Sequence, residues 1–349
     1  CIFYLVLFFL DTIEDDMFFF LDVKVPMLFF FHSYLYQPFF LYMESKEKDR
    51  QVLEDFPTIF FLFRNLSKVF FFVISDICHN FFFGMAEFLE FFFDSQHEWD
   101  KYCHYVAGLV FFFLSRLFSA FFFEDPIVGQ DFFLANSMGL FFFLTNIIRD
   151  YLFFQLEGRD PYLDFFFWSR YAKKLFFLAK PENIDFFFQC LNELIFFFLH
   201  HVPDVLFFLS RLKNQSFFYF CAIPQVMAIA TFFFCYNNKQ VFFFFVKIRK
   251  GQVFFLMMDA TNIFFFKAIM YQYFFLIYQK IFFLDPSSNK TLFFIASIRA
   301  MSFFCGPMAS RHFFFPIYLS CAIFFAALSW QYLFFFTKAT EEYFFLGEN

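Results

Sequence analysis

Glycine and proline are scarce in this 349-residue chain, at 8 and 11 residues. That excludes a turn-rich β architecture and a glycine-lined nucleotide loop. Neither G-x-G-x-x-G nor G-x-x-x-x-G-K-[ST] occurs, so Rossmann and P-loop readings lack their phosphate cradle. Cys1, Cys78, Cys103, Cys190, Cys221, Cys235, Cys305 and Cys321 are scattered without a C-x-x-C pair. Such usage fits reduced thiols in a cytosol-facing protein better than a disulfide frame or a zinc site. H-E-x-x-H is missing and His200-His201 is the one close histidine pair, which excludes a zincin. A basic excess is missing too: 26 Lys+Arg against 32 Asp+Glu leave a net charge of −6. Nucleic acid is therefore not an expected partner.

What the chain has in excess is phenylalanine, 85 residues, several-fold above ordinary usage. Many stand in sixteen runs of three or more, from 18–20 to 334–336. Three consecutive helical residues point about 100° apart and sweep more than half the circumference, so a triplet cannot lie on one narrow buried face. Strand alternation fails as well, because it would put Phe on both faces. The runs read as replacements laid over an ordinary sequence, and at least one member of most triplets is expected to be exposed. The text between them carries the information.

That text is helical in pattern throughout. Residues 102–118 form a broad apolar stripe, and 181–195 open with Pro-Glu-Asn, a helix start with acid in the first turn. Turn signals are confined mainly to Gly158–Pro161, Pro203, Asn237-Asn238, Asp285–Ser288 and Cys305-Gly306-Pro307. This spacing predicts helices of roughly ten to twenty residues in an all-α domain. From Phe313 to Phe336 no residue is charged, and about 36 Å of helix would cross a hydrocarbon core of roughly 30 Å. Tyr318, Trp330 and Tyr332 suit interfacial anchoring. Arg299 and Arg311 precede the stretch while Lys338 alone follows, which places the main domain on the cytoplasmic side. A buried core helix is the competing reading. The start, Cys1-Ile-Phe-Tyr, falls in mid-helix, so an N-terminal segment is expected to be missing.

Chemistry points to four constellations. Asp11, Glu14 and Asp15 share a helix face at i, i+3 and i+4, where like charges repel unless a hard divalent cation resolves them. A solvated acidic face is the alternative. Asn146 and Asp150 share another face, with Arg149 beside them. Oxygen ligands on two helices can face each other across a bundle cavity and hold a metal–diphosphate group, as ionisation of an allylic diphosphate requires. Tyr102 and Tyr105 offer a phenol for proton transfer, or are simply buried and hydrogen-bonded. Lys247, Arg249 and Lys250 form either a solvated basic loop or a phosphate site.

The blocks LDTIEDDM, MESKEKDRQVLEDFPTI, EWDKYCHYVAGLV, ANSMGL, TNIIRDYL, CAIPQVMAIAT, VKIRKGQ and LMMDATN resemble those of the squalene synthases, the membrane-anchored farnesyl-diphosphate farnesyltransferases. The resemblance runs nearly end to end, and the VKIRKGQ block and the tail ALSWQYL separate it from phytoene synthases. It implies an all-α isoprenoid-synthase helical bundle around a central cavity, with a C-terminal transmembrane helix. The implied domains are a catalytic domain at 1–300, a linker at 301–312, an anchor at 313–336 and a tail at 337–349. The implied reaction is Mg²⁺-dependent condensation of two farnesyl diphosphates to presqualene diphosphate and NADPH-dependent reduction to squalene, by a monomer in the endoplasmic reticulum membrane.

Position by position, the resemblance implies that Asp11, Glu14 and Asp15, with Asn146 and Asp150, bind Mg²⁺–diphosphate. Tyr102 would take the proton lost in cyclopropane formation. Arg149, Lys247 and Arg249 would contact NADPH phosphates, and Tyr4 and Phe220 would line the farnesyl cavity. The chain departs from the pattern at Phe154, where the second motif ends in a carboxylate, at Phe8, where the family has Arg, and at Phe143-Leu144, where it has Gln-Lys. Two alternatives follow: a Phe-substituted variant retaining the fold alone, and a phytoene-type enzyme without the reductive step.

Overall fold

Every regular element among the described residues is helical, which agrees with the 3.6-residue apolar spacing. The computed structural model describes residues 2–16, 20–35, 45, 50–89, 95–156, 169–171, 177–178, 180–282 and 285–302, without the side chains of 11, 14, 15, 21, 89, 150–156, 181 and 242. The chain clusters into two compact units, Cys1–Phe303 and Phe304–Asn349. The described residues all belong to the first, and the expected span 313–336 lies outside them.

The first helices are α1 (Ile2–Asp15), α2 (Leu21–Phe29), α3 (Phe31–Tyr34), α4 (Gln51–Glu54), α5 (Phe56–Arg64) and α6 (Lys68–Leu89). Next come α7 (Gln96–Cys103), a π-turn (His104–Gly108), α8 (Leu109–Ala120), α9 (Pro126–Gln130) and α10 (Phe132–Leu156). The rest are α11 (Ile184–Leu199), α12 (Val202–Arg211), α13 (Gln215–Cys235), α14 (Lys250–Asp259), α15 (Ile263–Gln279) and α16 (Ser288–Met301). Local chemistry sets several starts. Ser95 caps α7 by accepting from the Glu98 N–H, and Asn214 caps α13 by accepting from that of Phe217. The buried carboxylate of Glu124 also accepts from the N–H groups of Lys213 and Asn214, adding negative charge at the start of α13.

Two apolar clusters make the core. In the first, Val6, Phe9, Leu10 and Ile13 of α1 repeat at i, i+3, i+4 and i+7 and pack on α2, α3, α5 and α6. The Phe9 ring lies 4.0 Å from that of Phe56 and 5.1 Å from that of Phe31. The second cluster joins α7, α10, α11, α12, α13, α15 and α16. α8 stands between them: Leu109, Phe113 and Leu117 belong to the first, while Phe111 and Phe118 pack on the second.

The phenylalanine runs follow helical phase. Of the ten triplets described throughout, seven have at least one exposed member and eight have at least one buried. Phe81 and Phe82, for example, are buried while Phe83 is 45% exposed. Phe121–Phe123 are all exposed, because α8 ends there. The Phe122 N–H donates to the Ser119 carbonyl and the Phe123 N–H to that of Phe118, a Schellman closure. It holds Phe122 at φ 58°, a conformation better suited to glycine. The runs also raise hydropathy. Five described helical stretches, 68–88, 96–120, 132–149, 184–211 and 215–235, are long and apolar enough to cross a membrane by length and composition, yet 39 to 61% of each window is buried within the protein.

α10 and α12 are tied by a polar relay. Ser137 donates to Asp204 at 2.8 Å, and His201 Nδ1 lies 3.4 Å from the Ser137 hydroxyl. Burial, with the neighbouring His200, lowers the His201 pKa from 6.5 to about 4, and burial raises that of Asp204. The stability that depends on neutral His201 is complete above pH 6.5 and is lost as pH falls towards 4. Asp204 has the opposite sign, its contribution being lost as pH rises. Urea unfolding should therefore show a loss of up to ~3 kcal/mol between those pH values in the parent. In His201→Gln that loss should largely disappear.

Candidate active site

The centre of the site is the π-turn. α7, the turn and α8 are one continuous helical run, and the widened turn changes the phase of everything after it. Tyr102, 9% exposed, sits in the second cluster with Trp99 and Cys103, whereas Tyr105 packs on the first. Val106 touches both. The turn is clamped from two sides. The Tyr105 ring lies directly over Gly84 of α6. On the other side α10 approaches so closely that a Cβ on Gly139 would overlap the Ala107 carbonyl, and one on Gly108 would overlap the Asn136 amide. At Gly139 glycine is required by this backbone approach, whereas at Gly108 the neighbours are the side chains of Asn136 and His104.

Hydrogen bonds fix the same contact. His104 Nδ1 donates to Asn136 Oδ1 at 2.7 Å, and burial lowers the His104 pKa, so the neutral ring is favoured. Lys101 Nζ donates to Glu87 at 2.6 Å and lies over the rings of Phe88 and Tyr105. Phe88 in turn packs edge-on against Tyr102, with centroids 5.6 Å apart. Lys101, Glu87 and Phe88 thus set the position of Tyr102 from the α6 side. Sequence reasoning did not single out these three or Asn136.

Tyr102 faces α10. Its ring lies 6.4 Å from that of Phe143. By helical phase Asn136, Gly139, Phe143, Asn146, Asp150 and Phe154 share one side of α10. From Phe143, Asn146 is one turn on, about 4.5 Å along the axis, and Asp150 about 10.5 Å. The second oxygen-ligand cluster therefore continues the face that Tyr102 touches. Phe154 occupies the next turn after Asp150.

In α1, Tyr4, Phe8, Asp11 and Asp15 repeat at i, i+4, i+7 and i+11 on the side away from the buried face. Glu14 joins Asp11 at i+3. Tyr4 is 64% exposed and stacks on Phe8 at 5.8 Å, so an aromatic stripe leads along the helix to the carboxylates. The side chains of Asp11, Glu14, Asp15 and Asp150 lie outside the described residues; among the described residues no three His, Cys, Asp or Glu side chains converge. Asp16, also not singled out from the sequence, is fully buried and accepts a hydrogen bond from Ser45 at 2.5 Å. That bond ties the end of the acidic motif to a residue 29 positions later.

The basic residues divide. Arg149 is half-buried near the C-terminus of α13, where it and Lys280 oppose the burial that pushes the Cys235 thiol up to about 12. Lys247 and Arg249 are exposed on the extended stretch that leads into α14. Phe220, on α13, is 49% exposed and its ring lies 6.4 Å from that of Phe118 on α8. Chemically the two acidic motifs offer hard oxygen donors, the type Mg²⁺ takes together with substrate phosphates. The walls around Tyr102 are apolar and aromatic, a setting that keeps water from a carbocation.

Residues 1–252 match the family described as squalene/phytoene synthase. The chain is 60% identical to the squalene synthase of Homo sapiens over 349 residues, which is 100% of this chain and 84% of that protein. It is 37% identical to squalene synthase 3 of Panax ginseng over 319 residues, 89% of this chain and 75% of that one. The solved complex of TcSQS with the ligand E5700 superposes with a TM-score of 0.82 at 32% identity, covering 86% of this chain and 89% of that chain.

The close approach at Gly139 has a measurable sign. Gly→Ala in an open helical position stabilises by up to about 1 kcal/mol. Gly251→Ala, where nothing lies within 4 Å of the added carbon, should do so. Gly139→Ala should instead destabilise by about 1–3 kcal/mol, because the π-turn carbonyl must move. Urea midpoints of the two variants should shift in opposite directions.

Proposed function

The chain belongs to the squalene/phytoene synthase family, and from that membership we propose that it condenses two farnesyl diphosphates to presqualene diphosphate and reduces this to squalene. One observation carries the reading: Tyr102 packs against Phe143, on the face of α10 that continues to Asn146 and Asp150. The catalytic phenol and the second diphosphate-binding motif thereby share a wall. Relatives named squalene synthase at 60% identity favour this reading over a fold-only protein or a phytoene-type enzyme.

In this reading Asp11, Glu14 and Asp15 on α1, with Asn146 and Asp150 on α10, hold the diphosphates through Mg²⁺; their oxygen chemistry fits that ion. When bound, Mg²⁺ neutralises the charge of the departing diphosphate and NADPH supplies the hydride of the second step. The stacked pair Tyr4 and Phe8, with Phe220, orients the isoprenoid chains. Tyr102 takes up the proton released as the cyclopropane closes, held in place by Phe88 and Phe143. Arg149, Lys247 and Arg249 offer cations to the cofactor phosphates. We place the enzyme in the endoplasmic reticulum membrane by the span 313–336, with residues 1–300 facing the cytosol. It acts as a monomer.

Incubation of the full chain with farnesyl diphosphate and Mg²⁺ should yield presqualene diphosphate, and addition of NADPH should convert it to squalene. A phytoene-type product would contradict the reading. Tyr102→Phe should lower presqualene diphosphate formation by about two orders of magnitude with farnesyl diphosphate binding retained. Phe154→Asp restores a carboxylate one turn beyond Asp150, and Phe8→Arg restores a cation on the acidic face of α1. Each should raise turnover, by up to roughly two orders of magnitude, and the pair should be non-additive because both act on the same leaving group.

A further inference from the structure

Residues 213–258 include Lys213, Lys239, Lys247, Arg249 and Lys250 and not one Asp or Glu, in a chain whose net charge is −6. The second half of this stretch is on the surface. Lys239, Lys247, Arg249 and Lys250 are exposed, and so are Phe243, Phe244, Phe245, Phe254, Met257 and Met258.

The backbone sorts these residues outward in two ways. Along extended 245–249, Phe245, Lys247 and Arg249 face out, while Val246 and Ile248 pack on the second cluster. On α14 the outward face is Lys250, Phe254, Met257 and Met258, at i, i+4, i+7 and i+8, while Leu256 is turned in. The solvent side of this helix is thus apolar and its entry is basic.

Several exposed aromatic residues elsewhere have acid for company, while Phe61, Phe72 and Phe265 lie within four residues of Arg64, Lys68 and Lys267. Phe20 is followed by Asp22, Phe121–Phe123 by Glu124 and Asp125, Phe132 follows Asp131, and Phe186 follows Asp185. At those places acid sits beside the ring. At 239–258 cations do, and the first acid beyond them is Asp259 at the end of α14.

We propose that the surface formed by residues 239–258 lies on a membrane carrying anionic lipid headgroups. The aromatic and methionine side chains enter the acyl boundary, and the cations sit at the level of the headgroup phosphates. The cofactor phosphates account for Lys247 and Arg249 and leave Lys239 and the six exposed apolar side chains without a role. A lipid surface accounts for both. Lys239 is outside the cofactor set and carries the test.

The full chain is reconstituted into vesicles of phosphatidylcholine alone or of phosphatidylcholine with phosphatidylserine, each containing brominated lipid. Indole quenching is read in Met257→Trp and in Ile127→Trp, an exposed position beside Asp125, over the same three-tryptophan background. The added indole at 257 should be quenched at least about twofold more than that at 127, and more with phosphatidylserine than without. Lys239→Glu should reduce the phosphatidylserine effect, with product formation in detergent unchanged as the check on folding. Equal quenching at the two positions overturns the proposal. So does quenching at 257 that neither phosphatidylserine nor Lys239→Glu alters.

Discussion

The backbone contact between α10 and the π-turn, at Gly139 and Ala107, is the constraint on which the site depends. It allows no side chain between the two helices, so the distance from Tyr102 to the α10 face is set by main-chain atoms. Main chain is stiffer than any pair of side chains. The His104–Asn136 bond and the Lys101–Glu87 pair fix rotation and tilt about that contact. The widened turn then lets Tyr102 serve the second cluster and Tyr105 the first, which a regular helix would place three residues apart on a single face. Removal of this contact would separate the phenol from the α10 face that carries Asn146 and Asp150 while leaving every individual residue present.

The phenylalanine runs show how much excess apolar surface such a frame tolerates. Phase distributes most triplets between core and surface: Phe113 is buried while Phe111 and Phe112 are half-exposed, and Phe266 is buried while Phe264 and Phe265 are exposed. The core is specified by the positions that face in, and most of these are apolar. The cost falls on the surface and on the termini of helices, as at Phe122 with its positive φ.

Much of this was legible in the sequence. The all-α class followed from apolar spacing and from scarce glycine. The shared faces of Asp11, Glu14 and Asp15 and of Asn146 and Asp150 followed from i, i+3 and i+4 arithmetic, which needs only a continuous helix, and α1 and α10 are continuous through them. The π-turn was not legible, because a one-residue widening leaves no compositional mark in HYVAG. Nor were Asn136, Glu87 and Phe88, whose roles arise from contacts between helices far apart in the chain. The burial of Asp16 against Ser45 was missed for the same reason.

The central claim is that α1 and α10 hold one diphosphate between them, beside Tyr102. A double-mutant cycle on Asp15→Asn and Asp150→Asn, read by calorimetric binding of an unreactive farnesyl diphosphate analogue with Mg²⁺, tests it most directly. Shared ligation predicts a coupling energy above about 1 kcal/mol between the two positions. Strict additivity would contradict it, because the two carboxylates would then act on separate groups.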